Sequence, residues 1–462
     1  MARKIEPIKS RAILPIFALL LVTGCAAKGR PSLPPLQSSS AAFDAATKKA
    51  LEEDAADLLP AWIKPQTVDL TQPLSPDAIA QIAVIANPDL RALRKQTKVA
   101  DAQVFAAGLL PDPSFSFGID FVISGPITTL ANALAGSLSQ DLAAVRTRSA
   151  TLAQANSQAR QVRLDLAWAE WQTAGQARLI AWQIVAGERQ LALLRDIERV
   201  SRDLFDRTRR AAGRGDINGD QLQSARLGEL DAATQLRSAE LALAQSRQNL
   251  VRLLGLPPQT EVQLIAGQTE TFKFDCMRLE NLAGERTDIA ALREGYKAQD
   301  AAVRLANLSA FPAPNLTINA SRNESGNRFI GPAIGLSLPL WNRGRGTIAV
   351  AEATGEALQA QYDARLFQAR ADIASLCQLH SLAAEQIQNA RAELPTLERF
   401  ALATTKAAQR GDLAQVVADN AMLTIWSKRL QIEQIQQSQT ERLIGLEMAV
   451  GRKAETWQAG LE

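Results

Sequence analysis

Apolar and small residues recur at spacings of three and four through Leu152, Ala155, Ala159, Val162, Leu166, Ala169 and Thr173, then resume at Ile180, Ile184 and Leu191. That is the period of a coiled-coil seam. Between Ala143 and Ala212 the only glycines are Gly175 and Gly187 and there is no proline. The pattern predicts one helix roughly 100 Å long at 1.5 Å per residue. So thin a rod buries little by itself and must lie along other helices. A different period appears where Ser114, Ser116, Gly118 and Asp120 alternate with Phe115, Phe117, Ile119 and Phe121. Strict alternation predicts a strand, and a large apolar face opposite a small polar one suits lipid on one side and water on the other. Leu316, Ile318 and Ala320 alternate likewise with Asn315, Thr317, Asn319 and Ser321. Partner strands are predicted at 134–142 and at 330–340, where Ile334, Leu336, Leu338 and Leu340 face one way. Each is about the length that crosses an outer membrane.

These echoes extend along the whole chain. Asp89-Leu90-Arg91-Ala92-Leu93-Arg94 returns as Asp288-Ile289-Ala290-Ala291-Leu292-Arg293, 199 positions later, and Lys98 and Asp101 are matched by Lys297 and Asp300. Arg214-Gly215-Asp216 returns as Arg410-Gly411-Asp412, and Leu254-Gly255 as Val450-Gly451, both 196 later. The chain is a tandem duplication. The first copy, 76–255, reads as a helix, strands 113–122 and 134–142, a long helix 143–212, a turn 213–216 and a helix 216–254. The second, 286–451, reads as a helix, strands 314–322 and 330–340, a long helix 342–409, a turn 410–412 and a helix 412–450. The opening helix starts at Ser75-Pro76, a cap followed by a tolerated proline, is interrupted at Asn87-Pro88 and stops at Pro111-Asp112-Pro113. In each tight turn glycine supplies the left-handed stop, and Asp216 and Asp412 are expected to cap the returning helices. The two shorter helices of the first copy sum to the length of the long one, so they stack end to end beside it. Residues 256–285, with Pro257-Pro258, join the copies and are expected to pack outside the helices; 452–462 form a tail.

The fold class is therefore mainly α with a small transmembrane β part. Four strands cannot close a barrel, and an open sheet edge in lipid leaves backbone groups unpaired. Three chains would supply twelve strands around a water-filled lumen.

At the N-terminus, Lys4, Lys9 and Arg11 precede an apolar run from Ala12 to Val22, too short to span a bilayer, which leads into Thr23-Gly24-Cys25. Residues 1–24 read as a signal segment. The run resembles the bacterial lipobox, which implies lipidation of Cys25 as the mature N-terminus. Ala26 stands where an inner-membrane retention signal would carry Asp, so the implied destination is the outer membrane. Residues 25–75, rich in Pro, Ser and Ala, read as an extended arm.

Composition narrows the chemistry. The net charge is only +3, and no basic cluster is interleaved with aromatics, which leaves nucleic acid without a footprint. The one histidine, His380, sits in a helical pattern, and neither Cys-x-x-Cys nor His-Glu-x-x-His occurs, so no metal site or cofactor is expected. Asp165, Glu170 and Glu188 have no convergent His, Ser or Cys partner and read as solvated faces or ion pairs, leaving no enzymatic constellation. Gly213, Gly215 and Gly219 miss the GxGxxG spacing and follow a helix, which rejects a nucleotide loop. Cys276 and Cys377 read either as a disulfide in an oxidising compartment or as two buried thiols. Trp341 reads as a membrane-interface residue or as core.

Taken together, these features resemble the outer-membrane factors, the TolC-like trimeric efflux ducts, and within them the lipid-anchored cation-efflux branch. The resemblance is carried by Asn87-Pro88-Asp89-Leu90, by Ala106-Ala107-Gly108-Leu109-Leu110-Pro111-Asp112-Pro113, by Ser337-Leu338-Pro339-Leu340-Trp341-Asn342-Arg343-Gly344-Arg345-Gly346 and by the two Arg-Gly-Asp turns. It implies a homotrimer with a twelve-stranded barrel on a helical tunnel, working with a periplasmic adaptor and an inner-membrane pump. Arg214, Gly215, Asp216, Arg410, Gly411 and Asp412 are then the expected adaptor contacts, and Asp412 and Asp419 the expected gate. Gln415 and Ala418 stand where the family carries paired acidic residues. Two other readings remain: an outer-membrane duct for polypeptide secretion, which shares the fold, and a periplasmic coiled-coil scaffold or adaptor lipoprotein, which leaves the strands unexplained.

Overall fold

The structure, a computed structural model, describes residues 60, 62–63, 72–121, 123, 132–265 and 274–458. The signal segment and Cys25 lie outside the described residues. Helix α1 (Pro76–Ala86) begins where Ser75 Oγ accepts the Ala78 amide at 3.2 Å, with Pro76 in the first turn. Asn87 separates it from α2 (Pro88–Gly108), capping α2 by accepting the Leu90 amide at 2.9 Å. After β1 (Ser114–Asp120) and β2 (Ala133–Asp141) comes α3 (Ala143–Gly213), 71 residues long, then α4 (Gly219–Leu254). The second copy follows as the short helix α5 (Cys276–Leu282), α6 (Thr287–Ser309), β3 (Pro314–Arg322), β4 (Arg328–Leu336), α7 (Arg345–Gln409) and α8 (Gln415–Val450). Gly255 at φ 66° and Gly451 at φ 80° end the two returning helices.

The long helix α3 is the central element: α1, α2 and α4 of its own copy pack on it, and so do α6 and α8 of the second. Bulky side chains concentrate at mid-height. Ile79 and Ile82 of α1, Ile184 of α3 and Leu250 and Leu254 of α4 are fully buried together. The second copy repeats this with Leu279 of α5, Ile373 of α7 and Leu446 of α8. Smaller clusters, Leu194 and Ile197 of α3 with Leu430 of α8 and Ala401 of α7 with Ile425 of α8, lie nearer the turns, and many of the remaining seam positions are alanine, which lets helices approach closely; a Cβ on Gly175 of α3 would clash with the Met448 side chain.

The duplication is visible in single contacts. Asn87 Nδ2 donates to the Leu253 carbonyl at 2.8 Å, and Arg286, 199 positions on, donates to the Ala449 carbonyl, 196 positions on, also at 2.8 Å. Arg286 stacks on Trp168 and shares Asp288 with Arg365. Burial pushes the Asp288 carboxyl up, but the two guanidiniums outweigh it and hold the group below the usual carboxylate range.

Several boundaries differ from the sequence reading. β4 ends at Leu336 rather than at 340, so Leu338 and Leu340 leave the ladder. Leu336 pairs with Pro314, the first residue of β3, and no partner strand extends beyond it. β1 spans 114–120 rather than 113–122, and α7 starts at Arg345 rather than at 342. The returning helices start at Gly219 and Gln415 rather than at 216 and 412. Within the 256–285 link, α5 docks against α7 and α8.

Cys276 and Cys377 are joined, with Cα atoms 6.0 Å apart, tying α5 to the middle of α7. Beside the bridge, Phe274 packs on Trp457 and on His380, each at 5.4 Å between ring centroids. Burial lowers the His380 pKa, the nearby Arg442 lowers it further, and a backbone hydrogen bond with Gln439 opposes both.

Replacing both bridge cysteines with serine should cost about 2–5 kcal/mol, because the bond closes a long loop. A lower Tm, reproduced in the parent by dithiothreitol, checks this. Burial makes His380 harder to protonate in the fold than in the unfolded chain, which takes a proton below about pH 6.5. Stability is therefore lost as pH falls through that value. Melts on either side of it should show a smaller acid loss for His380→Phe than for the parent.

Candidate functional site

The four strands form one antiparallel sheet in the order β1-β2-β3-β4. Its register sorts the side chains. Phe115, Phe117 and Ile119 lie opposite Leu138, Gly136 and Leu134, which in turn lie opposite Ile318, Ala320 and Arg322. Leu316, Ile318 and Ala320 lie opposite Ile334, Pro332 and Ile330. One face is thus apolar across all four strands, and its side chains are bare, with Phe115 70% and Ile330 82% exposed. The other face is small and polar. Ser114 and Ser116 share hydrogen bonds of 2.7 Å with Ser139 and Ser137, and Asn315, Thr317 and Asn319 continue the polar surface. Phe329 is the exception, sharing that face with Ser321. Arg322 and Arg328 sit on the apolar face beside the β3–β4 turn, where a headgroup region would accept them. Trp341, past the end of β4, is 84% exposed, which excludes core packing within this chain.

At the opposite end of the long helices lie the two tight turns. Gly215 at φ 78° and Gly411 at φ 83° occupy the left-handed region. The Asp216 amide reaches the Ala211 carbonyl at 3.0 Å and the Asp412 amide the Ala407 carbonyl at 2.9 Å, which together with the Gly215 and Gly411 bonds make two Schellman stops. The aspartates do not cap the returning helices as the sequence implied. Asn218 Oδ1 caps α4, accepting from Gln221 at 3.0 Å, and Ala414 precedes α8 without a side-chain cap. Asp216 and Asp412 instead pair with their own Arg214 and Arg410 at 2.8 and 3.1 Å, all four exposed. The side chains of Leu413, Val416 and Val417 are also exposed, and a cavity of about 680 Å³ between the two turns is lined by Thr208, Ile217, Ser224, Gly228, Val417 and Leu423. This apolar groove was missed in the sequence because its lining comes from both copies.

Asp419 lies apart from Asp412. It is 6% exposed, 2.9 Å from Arg207 Nε on α3, and accepts from Gln415 Nε2 at 3.2 Å. Glu170 pairs with Arg94 and Glu188 with Arg247, both structural ties. Among the described residues no group of His, Cys, Asp and Glu is arranged to hold a metal ion, and no helix is long and apolar enough to cross a membrane.

Residues 279–452 match the family profile described as Outer membrane efflux protein. The match falls in the second copy of the repeat and spans less than half of the chain. Its fold is shared with CusC, solved in a study of folding and transmembrane channel formation (18% identity, 85% of this chain and 98% of that one, TM-score 0.66). It is shared equally with the CmeC outer membrane channel of Campylobacter jejuni (16%, 81% and 85%, TM-score 0.66) and with the outer membrane protein VceC of Vibrio cholerae (18%, 82% and 96%, TM-score 0.66). No curated protein sequence is matched. These likenesses place the chain in the fold of those outer membrane proteins.

The turn residues divide by role, and stability separates them. Asn218→Ala should cost about 1 kcal/mol by removing a cap. Asp216→Ala, which removes only an exposed ion pair, should stay within about 0.5 kcal/mol. Thermal melts, with hydrogen exchange over the first turn of α4, distinguish the two; equal losses would show that Asp216 carries the start of that helix.

Proposed function

We propose that three copies of this chain form the exit duct of a tripartite efflux pump, carrying small solutes, metal cations or drugs, from an inner-membrane pump through a periplasmic adaptor. The observation that carries the reading is the two-faced sheet with both edge strands open. β1 and β4 each present a row of unpaired backbone groups beside a largely apolar face, and only strands of identical neighbours can satisfy them in lipid. Closure puts the serine, threonine and asparagine face on a lumen and the phenylalanine and isoleucine face on the bilayer. Cys25 serves as the lipid anchor.

The turns carrying Arg214, Gly215, Asp216, Arg410, Gly411 and Asp412 are the adaptor contacts in this reading. They sit at the end of the helices remote from the sheet, with an apolar groove between them. Asp412 and Asp419 act at the gate in different ways: Asp412 presents an exposed charge, and Asp419 holds α8 against α3 through Arg207. A polypeptide secretion duct would share this geometry, and no observation favours it.

Mass measurement of the detergent-extracted protein tests the assembly: three chains are expected, and a stable monomer would end the proposal. A deletion strain grown across metals, dyes and antibiotics tests transport, sensitisation to at least one class being expected. Asp412→Ala should lower resistance without reducing the yield of assembled protein. For Cys25→Ala, metabolic palmitate labelling should be lost, and retained label would move the anchor elsewhere.

A further inference from the structure

The internal seam between the two copies contains a template for the seam between protomers. Within the chain, α6 of the second copy packs on α3 of the first, burying Asp288, Ala291, Gly295 and Ala298. At its centre Arg160 Nε of α3 meets Glu294 Oε2 of α6 at 2.6 Å. One residue further along each helix, Gly295 of α6 faces the end of the Gln161 side chain, whose Oε1 would lie 2.9 Å from a Cβ placed on that glycine.

The equivalent of α6 in the first copy is α2, and its matching positions, Asp89, Ala92, Gln96 and Val99, are all exposed. The equivalent of α3 is α7, and its matching positions, Ala353, Glu356 and Ala357, are exposed as well. The α2-to-α6 offset of 199 is given by the paired contacts Asn87 to Leu253 and Arg286 to Ala449, and the α3-to-α7 offset of 196 by the matching turns Arg214-Gly215-Asp216 and Arg410-Gly411-Asp412 that end the two long helices. Resting on the trimeric reading above, we propose that α2 of one copy docks on α7 of the next with the register of α6 on α3. Lys95 then pairs with Glu356 of the neighbour, and Gln96 covers the neighbour's Ala357.

Both features of the template survive with their members exchanged. Arg160 and Glu294 correspond to Glu356 and Lys95, an ion pair of reversed polarity. Gln161 and Gly295 correspond to Ala357 and Gln96, a large residue facing a small one with the sides swapped. Among the described residues neither Lys95 nor Glu356 has an ion-pair partner in its own chain. The occupant is therefore a second copy of this chain: its opposite edge carries the complementary charge and the complementary volume at the same height.

Cysteine pairing tests this in the full-length protein in native membranes, where Cys276 and Cys377 are already joined. Gln96→Cys with Ala357→Cys should give covalent dimers and trimers on non-reducing gels, and neither single variant should. Lys95→Glu or Glu356→Lys alone should reduce the trimer surviving mild detergent by about two- to five-fold, and the double reversal should restore it. If the protein is a trimer by mass but Gln96→Cys links only when combined with Ala353→Cys or Ala360→Cys, the register is overturned while the duct reading stands. If no trimer forms in the parent protein, the duct reading itself fails.

Discussion

A backbone amide at the edge of a sheet inside hydrocarbon has only another strand to bond to. Water, which serves edge strands in aqueous proteins, is absent, and each unpaired group costs several kcal/mol. Every large feature of this chain follows from that constraint. The sheet has four strands with apolar side chains on one face and hydroxyl and amide side chains on the other. It is too small to close and cannot be left open. In the assembly proposed above identical neighbours complete it, and the helices beneath then form a wall that also closes on itself.

The helical wall meets this requirement through the duplication. Two short helices stacked end to end match one long helix, so the wall keeps a constant thickness over its height. Its seams are lined by alanine and glycine rather than by large aliphatic groups, because a hollow cylinder has no centre to fill. The largest clusters of bulky side chains lie at mid-height, where α1 and α5 pack against the long helices, and the Cys276–Cys377 bond fastens the second of these to the wall. Since α6 on α3 joins two copies within one chain, the same interlock applied once more joins one chain to the next.

Charge is distributed according to the same geometry. Carboxylates buried in the wall are paired with arginines, as Glu170 with Arg94, Asp288 with Arg286 and Arg365, and Asp419 with Arg207. They tie helices together at places where an unpaired charge would be costly. At the far turns the aspartates are exposed and pair only with the arginine two positions before them, an arrangement that costs little to break and leaves both charges available to a partner.

By itself, the sequence determined the periods, the duplication, the two-faced strands and the place of every long helix, because each depends on local spacing that one stretch of chain displays alone. It also determined that Gly215 and Gly411 stop helices, since few other residues tolerate those angles. The tertiary structure decided the rest. The end of β4 at Leu336 depends on where β3 begins, the capping of α4 by Asn218 rather than Asp216 depends on how the Schellman stop turns the chain, and the burial of Asp419 depends on Arg207, which lies on the long helix of the other copy. The joining of Cys276 to Cys377 and the groove between the turns likewise need distant segments in place. Such features arise between residues far apart in the chain, and no local pattern of hydrophobic and polar positions encodes the distance between them.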